Sequence, residues 1–87
     1  MLTDGLLDAA AVLDNQAAGR LPDRGRVLTG AEALDTLCRD EVVDHDILEA
    51  AAELQMVAEG RALVLDGAGR ARAARLAAAV RKVATGA

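Results

Sequence analysis

The sequence contains no phenylalanine, tyrosine or tryptophan, and only one cysteine, one proline and one histidine. Without aromatic rings the chain has no platforms on which unpaired bases stack, which argues against single-stranded nucleic acid as a ligand. A single cysteine excludes an internal disulfide framework and fits the reducing cytoplasm, where we expect the protein. No apolar run approaches the roughly 20 residues of a membrane span, and Asp4 and Asp8 argue against a signal peptide.

Alanine dominates what is present. The length of 87 residues predicts a single domain over residues 1–87, yet 21 of its 46 hydrophobic residues are alanine. Because each alanine buries little area, the core must come from 13 leucines, 8 valines, Ile47 and Met56, and a monomer would have a thin core. We therefore predict a homodimer, in which a second copy covers a strip on the last helix formed by Ala74, Ala77, Ala78 and Ala84.

The charges are unevenly distributed along the chain. Residues 1–60 carry 13 acidic side chains against four arginines, a balance of -9, whereas residues 61–87 carry six basic side chains against Asp66, a balance of +5. Such asymmetry favours association between unlike ends, within one chain or across a dimer, and it also presents a basic end to anionic partners. The alternative is that these charges form ordinary solvated helix faces.

Hydrophobic spacing predicts two helices in the first half of the chain. The first is capped by Thr3 or Asp4 and runs to about Ala18, with Gly19 ending it. The second is predicted to begin at Gly30 and to stop near Asp40, because Thr29-Gly-Ala-Glu32 is typical of a capping box.

The second half predicts two more helices separated by a strand. Asp44 caps the third helix and Gly60 ends it, while the last helix runs from Ala68 to about Ala84. Arg61 to Asp66 is an apolar run rich in strand formers, and Gln55 to Val57, or Val27 with Leu28, would pair with it. The predicted fold is mainly α with a small β-hairpin; the alternative is an all-α bundle in which Arg61 to Asp66 is an extended connector.

The segments around this strand resemble a known family. Leu54-Gln-Met-Val57, Glu59-Gly-Arg-Ala-Leu-Val-Leu65 and Asp66-Gly-Ala-Gly-Arg70 resemble the end of the recognition helix, the wing and the turn into the last helix of MarR-like bacterial regulators. Asp66 and Gly67 stand where that family usually has threonine and proline, and Asp66 is still expected to cap the last helix. The resemblance implies a winged-helix domain whose third helix lies in the DNA major groove.

The third helix carries the wrong charge for that role. Groove-facing helices use basic or amide side chains, whereas this helix offers Asp44 and three further acids that repel a polyanion. The leading hypothesis is therefore a non-enzymatic regulatory or adaptor module that binds an unidentified protein partner through Asp46, Glu49 and Glu53. The alternative is a winged-helix transcription regulator that contacts DNA phosphates through Arg61, Arg70, Arg72 and Arg75.

A weaker resemblance points to an enzyme class. Asp14, Arg20, Glu32-Ala-Leu34, Leu37 and Asp44-His-Asp-Ile-Leu-Glu-Ala50 are similar to the tail of an HD-type phosphohydrolase domain. That family holds its metals with several histidines and aspartates, and His45 is the single histidine here. We expect no metal, no cofactor and no catalytic activity.

Three smaller patterns have simpler interpretations than chemistry. Adjacent side chains in Asp44-His45-Asp46 point about 100 degrees apart on a helix, so the three do not converge on one ion. Cys38 is interpreted as a small buried apolar residue rather than a nucleophile paired with His45. Gly67-Ala-Gly69-Arg70 is interpreted as a turn into the last helix rather than a phosphate site.

Overall fold

The described part of the chain folds as a bundle of four α-helices. The computed structural model describes residues 2–61 and 66–86, and the helices are α1 (Leu2–Ala17), α2 (Arg24–Asp40), α3 (His45–Ala58) and α4 (Gly67–Thr85). Helices α1 and α3 each pack against both α2 and α4, with a smaller diagonal contact between α1 and α3. Helices α1 and α2 are antiparallel, since Gly5 lies against Ala33 and Gly30 lies against Ala9. Helices α3 and α4 are also antiparallel, since Arg72 reaches Glu53 and Arg75 reaches Asp46.

Each helix contributes one fully buried leucine to a single core. These are Leu13, Leu34, Leu54 and Leu76, and Val12, Ile47 and Val80 are buried to the same degree. The remaining core positions are largely alanines, and no polar or charged residue among those described is buried. As predicted, leucine, valine and Ile47 supply the large side chains of the core, whereas Met56 is only half-buried. The alternative fold, an all-α bundle, is the observed one.

The predicted β-hairpin and winged helix are wrong. Gln55 to Val57 lie in the last turns of α3, and Val27 and Leu28 lie in the first turns of α2, so the backbone groups expected to pair with a strand are used within helices. No residue in 2–61 or 66–86 is in a strand. Residues 62–65 of the predicted strand lie outside the described residues. The MarR-like resemblance around residues 54–70 therefore does not extend to the fold.

Helix α2 begins six residues earlier than its sequence pattern predicts. Asp23 is the N-cap, and its side chain accepts a hydrogen bond of 3.2 Å from the backbone N–H of Arg26. Thr29 lies inside the helix, where its hydroxyl donates to the carbonyl of Gly25 at 2.9 Å. The capping box at Thr29 is thus wrong, because Pro22-Asp23 supplies an earlier start that satisfies the free amides of the first turn.

The predicted ends of α1 and α3 at Gly19 and Gly60 are confirmed, whereas Thr3 and Asp4, predicted to cap α1, lie inside that helix. Gly19 and Gly60 adopt positive φ angles of 72° and 78° just after α1 and α3. The backbone N–H of Arg20 donates to the carbonyl of Asn15, and the backbone N–H of Arg61 donates to the carbonyl of Met56. Each is the six-to-one hydrogen bond of a Schellman motif. Asp66 caps α4 by accepting from the N–H of Gly69 at 2.8 Å.

Asp44 occupies the N-cap position of α3, as predicted, but its side chain makes no capping hydrogen bond. The helix nevertheless begins at His45, because the backbone carbonyl of Asp44 accepts from the N–H groups of Ile47 and Leu48 at 3.0 and 3.2 Å. Its carboxylate is therefore not used in capping and is exposed on the bundle surface.

Small residues bring α1 and α2 into backbone contact at what we call the α1–α2 seam (Gly5, Ala9, Gly30 and Ala33). A Cβ atom added to Gly30 would lie 2.7 Å from the Cα of Ala9, and one added to Gly5 would lie 2.6 Å from the Cβ of Ala33. Both distances are shorter than side chains tolerate, so these two positions require glycine. Gly30, predicted to start a helix, instead allows two helices to touch.

Candidate functional site

The charged residues singled out in the sequence meet between α3 and α4. We call Asp46, Glu49, Glu53, Arg72 and Arg75 the α3–α4 charge cluster. Arg72 donates from Nε to Glu49 at 2.8 Å and from Nη1 to Glu53 at 2.6 Å, so one guanidinium bridges two carboxylates one turn apart on α3. The side chains of Glu49 and Glu53 are 22% and 17% exposed. The acids predicted to face a partner thus face α4.

Arg75 and His45 extend this cluster towards the N-terminus of α3. Arg75 lies 3.4 Å from Glu49 and 3.7 Å from Asp46, and the Nε2 of His45 lies 2.8 Å from the other oxygen of Glu49. Glu49 is therefore the centre of the network, with three cationic or hydrogen-bonding neighbours. The structure brings together three predicted partner-binding acids and two of the four predicted phosphate-binding arginines.

The network shifts the pKa values of Glu49 and Arg72. The hydrogen bond from Arg72 is the main cause that lowers the pKa of Glu49, against a smaller opposing effect of desolvation, with the charges of Arg72, His45 and Arg75 adding to the lowering. The hydrogen bonds to Glu53 and then Glu49 raise the pKa of Arg72. Both carboxylates are acceptors and the guanidinium is the donor, so the cluster holds the two helices together.

The other two predicted phosphate contacts lie apart from the cluster. Arg61 is ion-paired with Glu59, and that pair lowers the pKa of Glu59. Arg70 is exposed in the first turn of α4, and its guanidinium lies against Gly19, where an added Cβ would be 2.8 Å from one of its nitrogens. The four arginines therefore do not form one basic face, since Arg72 and Arg75 are bound to carboxylates.

Another ion pair that the sequence does not predict joins α1 to α4. Arg81 of α4 donates to Asp14 of α1, and this hydrogen bond is the main cause that raises the pKa of Arg81. The two residues are 67 positions apart, so a local pattern offers no signal for the pair. Asp14 belongs to the residues similar to a phosphohydrolase tail, and here it joins α1 to α4.

A groove opens beside the charge cluster, between the start of α3 and the end of α4. It has a volume of about 400 Å³, and we call it the α3–α4 groove; its lining residues are Asp44, Asp46, Ile47, Ala79, Lys82, Val83 and Gly86. Apolar side chains from both helices are flanked by two carboxylates and one ammonium group. Val42, two residues before Asp44, is fully exposed, and Val83 is 41% exposed.

The residues considered for chemistry lie in ordinary environments. Cys38 packs against the core, and burial followed by the charge of Asp35 raises the pKa of its thiol, which disfavours the reactive thiolate. Within residues 2–61 and 66–86, no group of three or more histidine, cysteine, aspartate or glutamate side chains is arranged to hold a metal ion. None of the four described helices is long and apolar enough to cross a membrane.

Comparisons with protein-family models, curated proteins and solved structures found no match to this chain.

Proposed function

We propose that this protein is a non-enzymatic regulatory or adaptor module that acts by binding another protein at the α3–α4 groove. The observation that carries the proposal is the groove itself, in which Ile47, Ala79 and Val83 form an apolar centre with carboxylates at its edge. An apolar centre with a polar rim is the usual composition of a protein-binding surface. Val42 extends the exposed apolar area at the entrance to α3.

The charge cluster has a supporting role in this proposal. Glu49 and Glu53 are bound to Arg72, so they fix α3 against α4 and set the width of the groove. Asp46 is the one predicted partner-binding acid that also lines the groove. A partner of complementary chemistry presents an apolar side chain to Val83 and a basic group to Asp44 and Asp46.

Capture of partner proteins from an extract of the native cell tests the proposal. The variant Val42→Ser with Val83→Ser removes exposed apolar side chains without touching the core, and it should lose proteins that the unchanged chain retains. Ala52→Ser is the matched control, because Ala52 is exposed on α3 but does not line the groove. Identical captured proteins for the Val42/Val83 variant and the unchanged chain would contradict the proposal.

The DNA-binding alternative has a separate test. Arg72 is unsuitable for it, since its removal leaves Glu49 and Glu53 without their main partner. Arg61→Ala with Arg70→Ala leaves the charge cluster intact and removes the two predicted phosphate contacts that lie outside it. A duplex affinity tighter than about a micromolar at physiological salt, lost in this variant, would overturn the protein-binding proposal, because non-specific contact alone rarely reaches that level.

A further inference from the structure

The antiparallel bundle collects arginines at one of its ends. The C-termini of α1 and α3 and the N-termini of α2 and α4 meet there, and we call this the basic end; its arginines are Arg20, Arg24, Arg26, Arg61 and Arg70. The acids at this end have local roles, since Glu59 pairs with Arg61 and the side chains of Asp23 and Asp66 cap helices. Arg20 and Arg24 are exposed.

The opposite end is acidic. It contains the N-termini of α1 and α3 and the C-termini of α2 and α4, and we call it the acidic end; its carboxylates belong to Asp4, Asp40, Glu41, Asp44 and Asp46. Lys82 lies among them, and Arg75 approaches Asp46 to 3.7 Å from the middle of α4. Arg39, also near this end, is paired with Asp35. Carboxylates therefore outnumber cations at the acidic end.

Both ends also expose large apolar side chains. Leu21 at the basic end is 91% exposed and Leu28 is half exposed, while at the acidic end Val42 is fully exposed and Leu48 is half exposed. Charged residues around exposed leucine and valine give each end the composition of an interface. The two ends are thus alike in apolar character and opposite in charge.

We propose that the acidic end of one copy of this chain binds the basic end of a second copy, in an antiparallel pair where both such contacts form at once. This inference rests on the proposed function and names a second copy as a partner. The long dimension of the molecule is 32 Å. Attraction across that distance inside one molecule is screened at physiological salt, where the Debye length is about 8 Å. Contact between copies brings the opposite charges within range.

The alanine strip on α4 does not provide this interface. Ala77 is fully buried inside the monomer and Ala84 packs against its core, which leaves Ala74 and Ala78 exposed. Two small side chains bury little area. The antiparallel pair instead uses four large apolar side chains of each copy, Leu21, Leu28, Val42 and Leu48, and the charges around them.

Charge reversal at each end, followed by mixing, tests the proposal. The variant Arg20→Glu with Arg24→Glu makes the basic end acidic, and the variant Asp40→Lys with Glu41→Lys makes the acidic end basic. The changes at Arg24 and Asp40 place an acid at the start of α2 and a base at its end, which suits the helix dipole and protects folding. Glu32→Lys, on the exposed side of α2 away from both ends, is the matched control.

Light scattering at tens of micromolar protein should give twice the chain mass of 8.9 kDa for the unchanged chain and for Glu32→Lys. Each reversed variant alone should give the monomer mass, and an equimolar mixture of the two should restore the dimer. Raising salt from 0.05 to 0.5 M should weaken the unchanged dimer on the order of tenfold. Circular dichroism of each variant confirms that it is folded.

A monomer mass for the unchanged chain at low salt would overturn the inference, as would a dimer that persists in both reversed variants. Binding to an anionic polymer instead of a second copy would give a different pattern: the Arg20/Arg24 variant would lose binding, the Asp40/Glu41 variant would strengthen it, and mixing would restore nothing. A monomer that still captures a protein through Val42 and Val83 would overturn this inference and leave the proposed function standing.

Discussion

The α1–α2 seam and the α3–α4 charge cluster join neighbouring helices in opposite ways. At the seam, Gly30 lets the backbones touch, so the contact depends on missing side chains. At the cluster, Arg72 reaches across to Glu49 and Glu53, so the contact depends on long charged ones. The stability contributed by the seam should not depend on pH, whereas the stability contributed by the charge cluster should. Acids on one face of a helix can therefore belong to the contacts between helices of a bundle.

The largest expected effect breaks the seam. Gly30→Ala should lower the free energy of unfolding by about 2 kcal/mol or more, although alanine gains about 1 kcal/mol in helix propensity. The reason is that the new Cβ meets backbone atoms of Ala9 at 2.7 and 2.8 Å, so the helices must move apart. Urea unfolding followed by circular dichroism measures the change.

Gly67→Ala is the control for this substitution. Gly67 is the first residue of α4, and no described atom beyond its neighbours lies within 4 Å of the added Cβ. Its effect should stay within about 0.5 kcal/mol. Equal effects at Gly30 and Gly67 would mean that the two helices do not touch at the seam.

A smaller effect should locate the start of α2, which carries Gly30 to the seam. Asp23→Ala removes the cap that accepts from Arg26 and should cost about 1 kcal/mol. Thr29→Ala removes a hydroxyl within the helix and should change the free energy of unfolding by less than about 0.5 kcal/mol. The same urea unfolding measurement separates them. A larger effect of Thr29→Ala than of Asp23→Ala would support a capping box at Thr29 and contradict a helix that begins at Arg24.

The sequence predicts the parts of the fold that depend on local signals. Gly19, Gly60 and Asp66 act at helix ends through their own backbone or side-chain chemistry, and all three were predicted. The start of α2 was missed because Gly25 and Gly30 lower helix propensity, while the packing that requires Gly30 comes from Ala9, 21 positions away.

The acids and arginines of the α3–α4 charge cluster were named from the sequence, but their pairing was not. Asp46, Glu49 and Glu53 were expected to point outward because charge on a helix usually does. Their partners Arg72 and Arg75 belong to another helix, so the pairing becomes visible only in the folded chain. The α3–α4 groove was missed for the same reason, since its lining residues are contributed by both helices.

Acid should weaken the charge cluster. The pKa of Glu49 is lower in the folded protein than its unfolded value of about 4.3, so the unfolded chain binds more protons between the two values. The stabilisation is complete above about pH 5 and is lost as pH falls through the lower, folded pKa. Glu59, whose pKa is lowered by Arg61, adds to the same trend.

Urea midpoints from pH 7 to pH 2 measure this dependence. Glu49→Gln and Arg72→Ala should each flatten it, because the first removes the titrating group and the second removes the main cause of its lowered pKa. An unchanged slope in both variants would mean that Glu49 is not bound to Arg72 in solution.

A double-mutant cycle on Arg72→Ala and Glu53→Gln tests most directly that the acids of α3 hold α4. The pair is separated by 2.6 Å with Glu53 mostly shielded, so we expect a coupling energy of about 1 kcal/mol in urea unfolding at pH 7. The exposed pair Arg39–Asp35, at 3.3 Å, is the reference and should couple by less than about 0.5 kcal/mol. A coupling of zero between Arg72 and Glu53 would contradict the account, because it would mean that the acids of α3 do not hold α4.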